Sequence, residues 1–202
     1  MLDYYNIKSK AYEFIISLNA TDIPIDPLKI TLPNIYITSF QNYSKMTGVS
    51  ISDLTLNNKF KDGYIIYYNN IKIILYDEEK YEPRKRFTLY HEIGHSILRH
   101  KQHNAENEAE ANFFAAQLLI PDVIIKEIIK RGYKLTIKDI MSIFGVSDQC
   151  ASIRDEYLKK YFDKHPNEYD DAILLLFNSF LNINYPDRRP RQESFFYNED
   201  DI

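Results

Sequence analysis

Arg86-Phe87-Thr88-Leu89-Tyr90-His91-Glu92-Ile93-Gly94-His95 is the stretch from which the rest of this chain can be read. It contains His-Glu-x-x-His. On a helix, side chains four apart stand on one face about 5–6 Å from each other. His91 and His95 are therefore placed to grip one metal ion, with zinc–nitrogen bonds of about 2.0–2.1 Å. Glu92 lies one residue further round, beside the metal, where it can take a proton from an attacking water. Phe87, Leu89, Tyr90, Ile93, Ile97 and Leu98 make the segment apolar nearly all round. That pattern predicts a buried central helix from Pro83 to about His100. Gly94 inside it costs about 1 kcal/mol relative to alanine, and the expected compensation is close approach of a neighbouring backbone.

A zinc enzyme needs a third protein ligand and an open fourth position. Asn104 can cap a second helix, Ala105 to Ile120, which carries Glu106, Glu108 and Glu110. Residues two apart on a helix do not share a face, so neighbours in this trio are alternatives. Glu108 shares its side with Ala111, Asn112, Ala115 and Leu119, a small and apolar stripe suited to packing on the motif helix. Glu110 shares its side with Glu106, Phe114 and Gln117, which reads as a solvated face. Glu108 is the expected ligand, and Asn112, one turn on, would hold a ligating histidine in place. His100 and His103 are the rivals. His100 is five residues past His95, so on a continuous helix it rotates away from the His91–His95 face. Both read as surface histidines at a helix end.

Upstream of the motif, Gly63 to Tyr68 and Ile71 to Tyr76 are β-rich runs joined by Asn69-Asn70, a turn pair that tolerates positive φ. Two strands alone are marginal in water, so a third strand or a covering helix is expected. Tyr5 to Asn19 carries apolar residues at helical spacing and ends before Pro24 and Pro27, where a second short helix can start. Leu32 to Asn58 gives mixed signals, with Ile35-Tyr36-Ile37 strand-like. Downstream, helices are expected over Val123 to Lys130, Ile137 to Phe144 behind a Thr136/Asp139 capping box, Gln149 to Phe162, and Asp170 to Asn182. The fold class predicted is α+β: a mostly helical, zincin-like core with a small antiparallel β-sheet, then a helix-turn-helix-like segment. The organisation predicted is a metallopeptidase core over 1–135, a helical extension over 136–184, and a mobile tail over 185–202 unless Phe195 and Phe196 dock it.

The chain has 202 residues, enough for one sizeable core, and a formal net charge of -4. That charge gives no electrostatic reason to expect nucleic acid or an acidic membrane surface. Its single cysteine, Cys150, excludes an internal disulfide framework and fits a reducing compartment. Asp3, Lys8, Lys10 and Glu13 interrupt the N-terminal stretch, no secretion signal is expected, and no run approaches a membrane span. The cytoplasm is the expected location. Thr136 to Tyr161 has the outline of a DNA-reading motif, yet between Ser147 and Tyr157 it offers only Arg154 as a basic residue. It reads as structural or substrate-docking.

Arg86 to His95, Glu108-Ala-Glu-Ala-Asn112 and Phe114-Ala-Ala-Gln-Leu-Leu-Ile-Pro121 closely resemble the ImmA/IrrE metallopeptidases. The resemblance extends to Asp62-Gly63-Tyr64, Ile23-Pro24-Ile25-Asp26 and Ile143-Phe144-Gly145-Val146-Ser147, and so covers about Ala11 to Leu158. It implies one catalytic zinc held by His91, His95 and Glu108, with Glu92 as acid/base. It also implies a protein substrate, a helix-turn-helix repressor of a prophage, mobile element or stress regulon. Tyr90 departs from the family, which often has alanine there. The rival reading is a metal-stabilised module that sequesters a repressor or toxin without cutting it. Glu92 speaks against that, because a structural site closes its fourth position and needs no base.

Overall fold

The computed structural model describes residues 3–57, 59, 62–102, 104–161 and 166–189. The Asp3 side chain accepts from the Asn6 backbone and opens α1 (Tyr4–Ser17). Ala11, Phe14 and Ile15, three and four apart, bury the inner face of that helix. Pro27 begins a single 3-10 turn, Pro27–Lys29. The region of mixed signals resolves into β1 (Ile35–Ser39), α2 (Phe40–Thr47) and α3 (Ile51–Leu54).

The hairpin forms as expected. β2 (Gly63–Tyr68) and β3 (Ile71–Tyr76) pair antiparallel, with Gly63 opposite Tyr76 and Tyr68 opposite Ile71. Asn69 takes the positive φ of the turn, 54°. The third strand departs from the antiparallel expectation: β1 runs parallel to β3, Ile35 opposite Lys72 and Ser39 opposite Tyr76, in the order β1-β3-β2. The sheet is therefore mixed. Turn chemistry fixes a hairpin locally, whereas a parallel neighbour needs a long crossover that no local signal announces. β3 is central and covered on both sides. Ile74 joins the main core, while Leu75, pointing the other way, packs with Phe40 and Leu54. β2 is left as an edge strand.

α4 (Glu82–Ile97) contains the motif and packs on β2 and β3, and α5 (Ala105–Leu119) lies along it. α4 ends three residues short of the expected His100. Leu98 caps it and Arg99 turns left-handed at φ 60°. α6 (Asp122–Lys130) and α7 (Ile137–Phe144) follow, the latter with the Thr136/Asp139 capping box formed and closed by Gly145 at φ 59°. α8 (Asp148–Tyr161), α9 (Asp170–Leu176) and α10 (Asn178–Asn184) complete the fold. The last two replace a single expected helix, interrupted at Phe177, whose ring is fully buried. Ile140, Phe144, Ala151, Leu158 and Ile173 join the same core as α1, α4 and α5.

A buried ionic cluster ties four helices together. Asp122 lies 2.7 Å from Arg154 and 3.5 Å from Lys8, and Lys8 lies 3.3 Å from Asp170. Arg154 is 3% exposed. The one basic residue between Ser147 and Tyr157 therefore faces inward, away from any nucleic-acid surface. Of the expected tail, Arg188 donates through its backbone to Arg131 and lies over the Tyr133 ring. Residues 190–202, with Phe195 and Phe196, lie outside the described residues, as do Phe162 and His103. Among the described residues no helix is long and apolar enough to cross a membrane.

Candidate metal centre

His91 and His95 project from one face of α4, their Nε2 atoms 3.0 Å apart. Glu108 comes from the first turn of α5, which Asn104 caps through the Asn107 backbone N–H. Gly94 explains how α5 comes close enough. A Cβ at that position would stand 3.4 Å from the Ala111 backbone and 3.1 Å from the Phe114 ring. The missing side chain lets the helices approach, the compensation expected for a glycine inside a helix. Glu108, three residues before Ala111, is thereby carried over the histidine pair. Its carboxylate oxygens lie 3.2 Å from His91 Nε2 and 3.3 Å from His95 Nε2.

The donor set fits a zinc ion. Four ligands at about 2.0–2.1 Å around a tetrahedral ion stand about 3.3–3.4 Å apart. The two Nε2 atoms stand 3.0 Å apart, with one Glu108 oxygen 3.2 Å from His91 Nε2 and the other 3.3 Å from His95 Nε2, spacings close to those of such ligands, and the three residues together can hold a metal ion. Two imidazoles and a carboxylate are also the chemistry zinc accepts in sites that keep a position open.

Both histidines are oriented from behind. His91 Nδ1 lies 2.9 Å from the Asn112 side-chain oxygen, the contact the sequence suggested. His95 Nδ1 lies 2.9 Å from His100 Nδ1, and His100 Nε2 lies 2.9 Å from Glu110. This corrects two expectations. His100 is not a surface residue, since its side chain is 6% exposed. Nor does Glu110 stand on a solvated face, because Phe114 and Gln117 on the same side are fully buried. The physical reason is the early end of α4. With Arg99 left-handed, the His100 N–H returns to the His95 carbonyl at 3.0 Å, and the imidazole folds back over its neighbour. An arginine in that conformation leaves no sequence signal comparable to a capping glycine.

Glu92 is buried, and its Oε2 has no hydrogen-bond partner. Burial, reinforced by the Glu108 charge, pushes its carboxyl up to about 8 against a backbone hydrogen bond from Ile65 that works the other way. Burial likewise holds the His91 pKa below its ordinary value, with Glu108 and Asn112 opposing. Neutral imidazole is the form a metal needs. These groups open on a cleft of about 350 Å³ lined also by Gly63, Tyr64, Arg84, Phe87 and Thr88. The Tyr64 hydroxyl is committed elsewhere, donating to the Leu54 carbonyl at 2.7 Å.

Arg86 and Tyr90, on the back of α4, explain why remote segments share in the motif. Arg86 donates to the carbonyls of Phe144, Gly145 and Ile25, and the Tyr90 hydroxyl also donates to Ile25. Tyr90 is fully buried. The Ile23-Pro24-Ile25 and Phe144-Gly145 segments are thus strapped to the helix that carries the histidines.

With this geometry in place, comparison with known proteins gives the class. Residues 47–154, more than half of the chain, match the peptidase M78 family, described as the IrrE N-terminal-like domain, and the chain belongs to that family. The family is zinc-dependent in general. A curated relative, the "Uncharacterized immunity region protein 2" of Bacillus phage phi105, is 28% identical over 105 residues, covering 46% of this chain. The match spans 65% of that relative's own length. No solved structure matches the chain.

Proposed function

We propose that this chain is a zinc-dependent endopeptidase acting on a cytoplasmic protein, and that its substrate is a helix-turn-helix repressor of a phage or other mobile element. The observation that carries the reading is the His91–His95–Glu108 triangle with buried Glu92 beside it. Zinc, when bound, would polarise the scissile carbonyl and acidify the attacking water. His91, His95 and Glu108 would hold it, and Asn112 and His100 would keep the two imidazoles in position.

Glu92 does the proton work. In its carboxylate form, which the positive charge of a bound metal would favour against burial, it takes the proton of the water that attacks the carbonyl carbon, and passes it to the amine nitrogen as the C–N bond breaks. The substrate lies extended beside the edge strand β2, whose Gly63 and Tyr64 line the cleft. The repressor assignment is supported by the phage immunity-region relative and by membership of the M78 family.

The test is incubation of zinc-loaded protein with a repressor encoded beside its gene, with fragments read by mass spectrometry. Defined fragments that vanish with Glu92→Gln are the expected result. A stable complex with no fragments would instead establish the sequestering module.

A further inference from the structure

A second concavity, of about 510 Å³, opens next to the metal centre. Each of three helices gives it one stripe at helical spacing. α4 supplies Arg84 and Phe87. α5 supplies Asn112, Phe113 and Ala116, and α8 supplies Cys150, Ile153 and Tyr157. The volume lies within the range of about 300–1,000 Å³ in which proteins bind ligands larger than one side chain.

Two observations say what enters it. First, the cavity adjoins the catalytic cleft: Arg84, Phe87 and Asn112 line both. Phe87 is stacked on His91 with ring centroids 6.2 Å apart, and Asn112 bonds the same imidazole. A chain seated over His91 therefore meets this wall within a few residues at about 3.3 Å per residue. Second, the wall combines apolar surface with one unmet polar group. Tyr81 and Ile153, 60% and 59% exposed, stand among its lining residues. Arg154, also in the lining, sits near the Phe113 and Tyr157 rings, spends Nη1 on Asp122, and has no hydrogen-bond partner for Nε or Nη2.

We propose that this cavity is the specificity pocket of the peptidase. It takes large apolar side chains of the substrate, aliphatic or aromatic, within a few residues of the scissile bond. Arg154 donates to a carbonyl or carboxylate oxygen of the same segment. The face of α8 that carries Cys150, Ile153, Arg154 and Tyr157 then reads peptide. The pocket's place beside a cleaved bond rests on the peptidase reading, so the test has an arm that needs no cleavage.

In the first arm, zinc-loaded full-length protein is given a peptide mixture made by digesting a whole proteome, and cut bonds are identified by mass spectrometry. Leucine, isoleucine, phenylalanine or tyrosine should be enriched at one position near the cut, and Ala116→Phe should reduce that enrichment about tenfold. Cuts without such enrichment, or enrichment untouched by Ala116→Phe in a protein that still binds zinc, would overturn the pocket.

The second arm uses the Glu92→Gln chain and follows alkylation of its single cysteine, Cys150, by iodoacetamide. A short leucine- and phenylalanine-rich peptide should slow the reaction several-fold, and a serine- and glycine-rich one should not. Equal effects of the two peptides would also overturn the pocket. Alkylation accelerated by the double change Phe195→Ser and Phe196→Ser would overturn it too, by making the chain's own C-terminal segment the occupant. Protection by the apolar peptide with no bond cut in the first arm would remove the peptidase reading and leave the ligand class standing.

Discussion

His95 Nδ1 lies 2.9 Å from His100 Nδ1, with the two imidazole planes at 74°. A bond between two Nδ1 atoms allows one proton only. If His95 offers Nε2 to a metal, its Nδ1 carries the hydrogen and donates, so His100 Nδ1 accepts. His100 then carries its hydrogen on Nε2 and donates to Glu110, 2.9 Å away. The chain of bonds fixes both tautomers and the ring orientation of the ligand. His100→Ala and Glu110→Gln should each weaken zinc binding by about 10–100-fold while leaving the fold intact. Competition with a coloured chelator reads this directly, and unchanged affinity in both variants would remove the supporting role.

Glu108→Ala should do more than either. It deletes the carboxylate whose oxygens lie 3.2 and 3.3 Å from the two imidazoles, so stoichiometric zinc should be lost in metal analysis after dialysis. If Glu110→Gln lost zinc and Glu108→Ala kept it, the ligand would have to move two residues along α5.

Glu92→Gln separates chemistry from metal binding. The amide fills the same buried space without a basic oxygen, so zinc should remain stoichiometric while cleavage falls by about 10²–10⁴-fold. Parent-like turnover would sink the assignment of Glu92 as the base.

The metal-free protein should carry a pH signature of the same residue. Glu92 has an ordinary value of 4.5 and is pushed up to about 8 in the folded chain, first by burial and then by Glu108. The folded state therefore holds a proton that the unfolded state releases. The stability this group contributes is full below about 4.5 and is lost as the pH rises through about 8. Between those values the melting temperature of the metal-free parent should fall relative to that of metal-free Glu92→Gln. The depressed His91 is present in both proteins and cancels. Parallel melting curves across this range would contradict the raised carboxyl.

Asp122→Asn tests how α8 is held. The change leaves Lys8 and Arg154, each 3% exposed, without their shared carboxylate. Breaking a buried pair in this way costs about 3–5 kcal/mol, a large part of the roughly 5–15 kcal/mol that keeps a domain folded. Urea unfolding measures it. A loss below about 1 kcal/mol, the scale of surface pairs, would mean that water reaches the cluster.

Much of this protein was legible from local pattern. His91, Glu92 and His95 declare themselves because four residues of helix return a side chain to the same face. The β2–β3 hairpin follows from two β-rich runs around Asn69-Asn70, and Gly94 rightly implied a close neighbour. Glu108 was reached by an argument only half right. Its stripe does pack, with Ala111, Ala115 and Leu119 buried, but the rival stripe through Glu110, Phe114 and Gln117 is no more solvated.

The sequence by itself determined the motif helix, the shared face of His91 and His95, the hairpin before it and the family to which the chain belongs, because each rests on spacings of a few residues. Tertiary structure alone decided the parallel placement of β1, the return of His100 to His95, the burial of Arg154 against Asp122, and the cavity where α4, α5 and α8 meet. These relations join residues by the packing of separate elements or by one left-handed arginine that ends a helix early. The histidine pair that opened the reading thus gained its second layer from a turn that the helical period of its own sequence argued against.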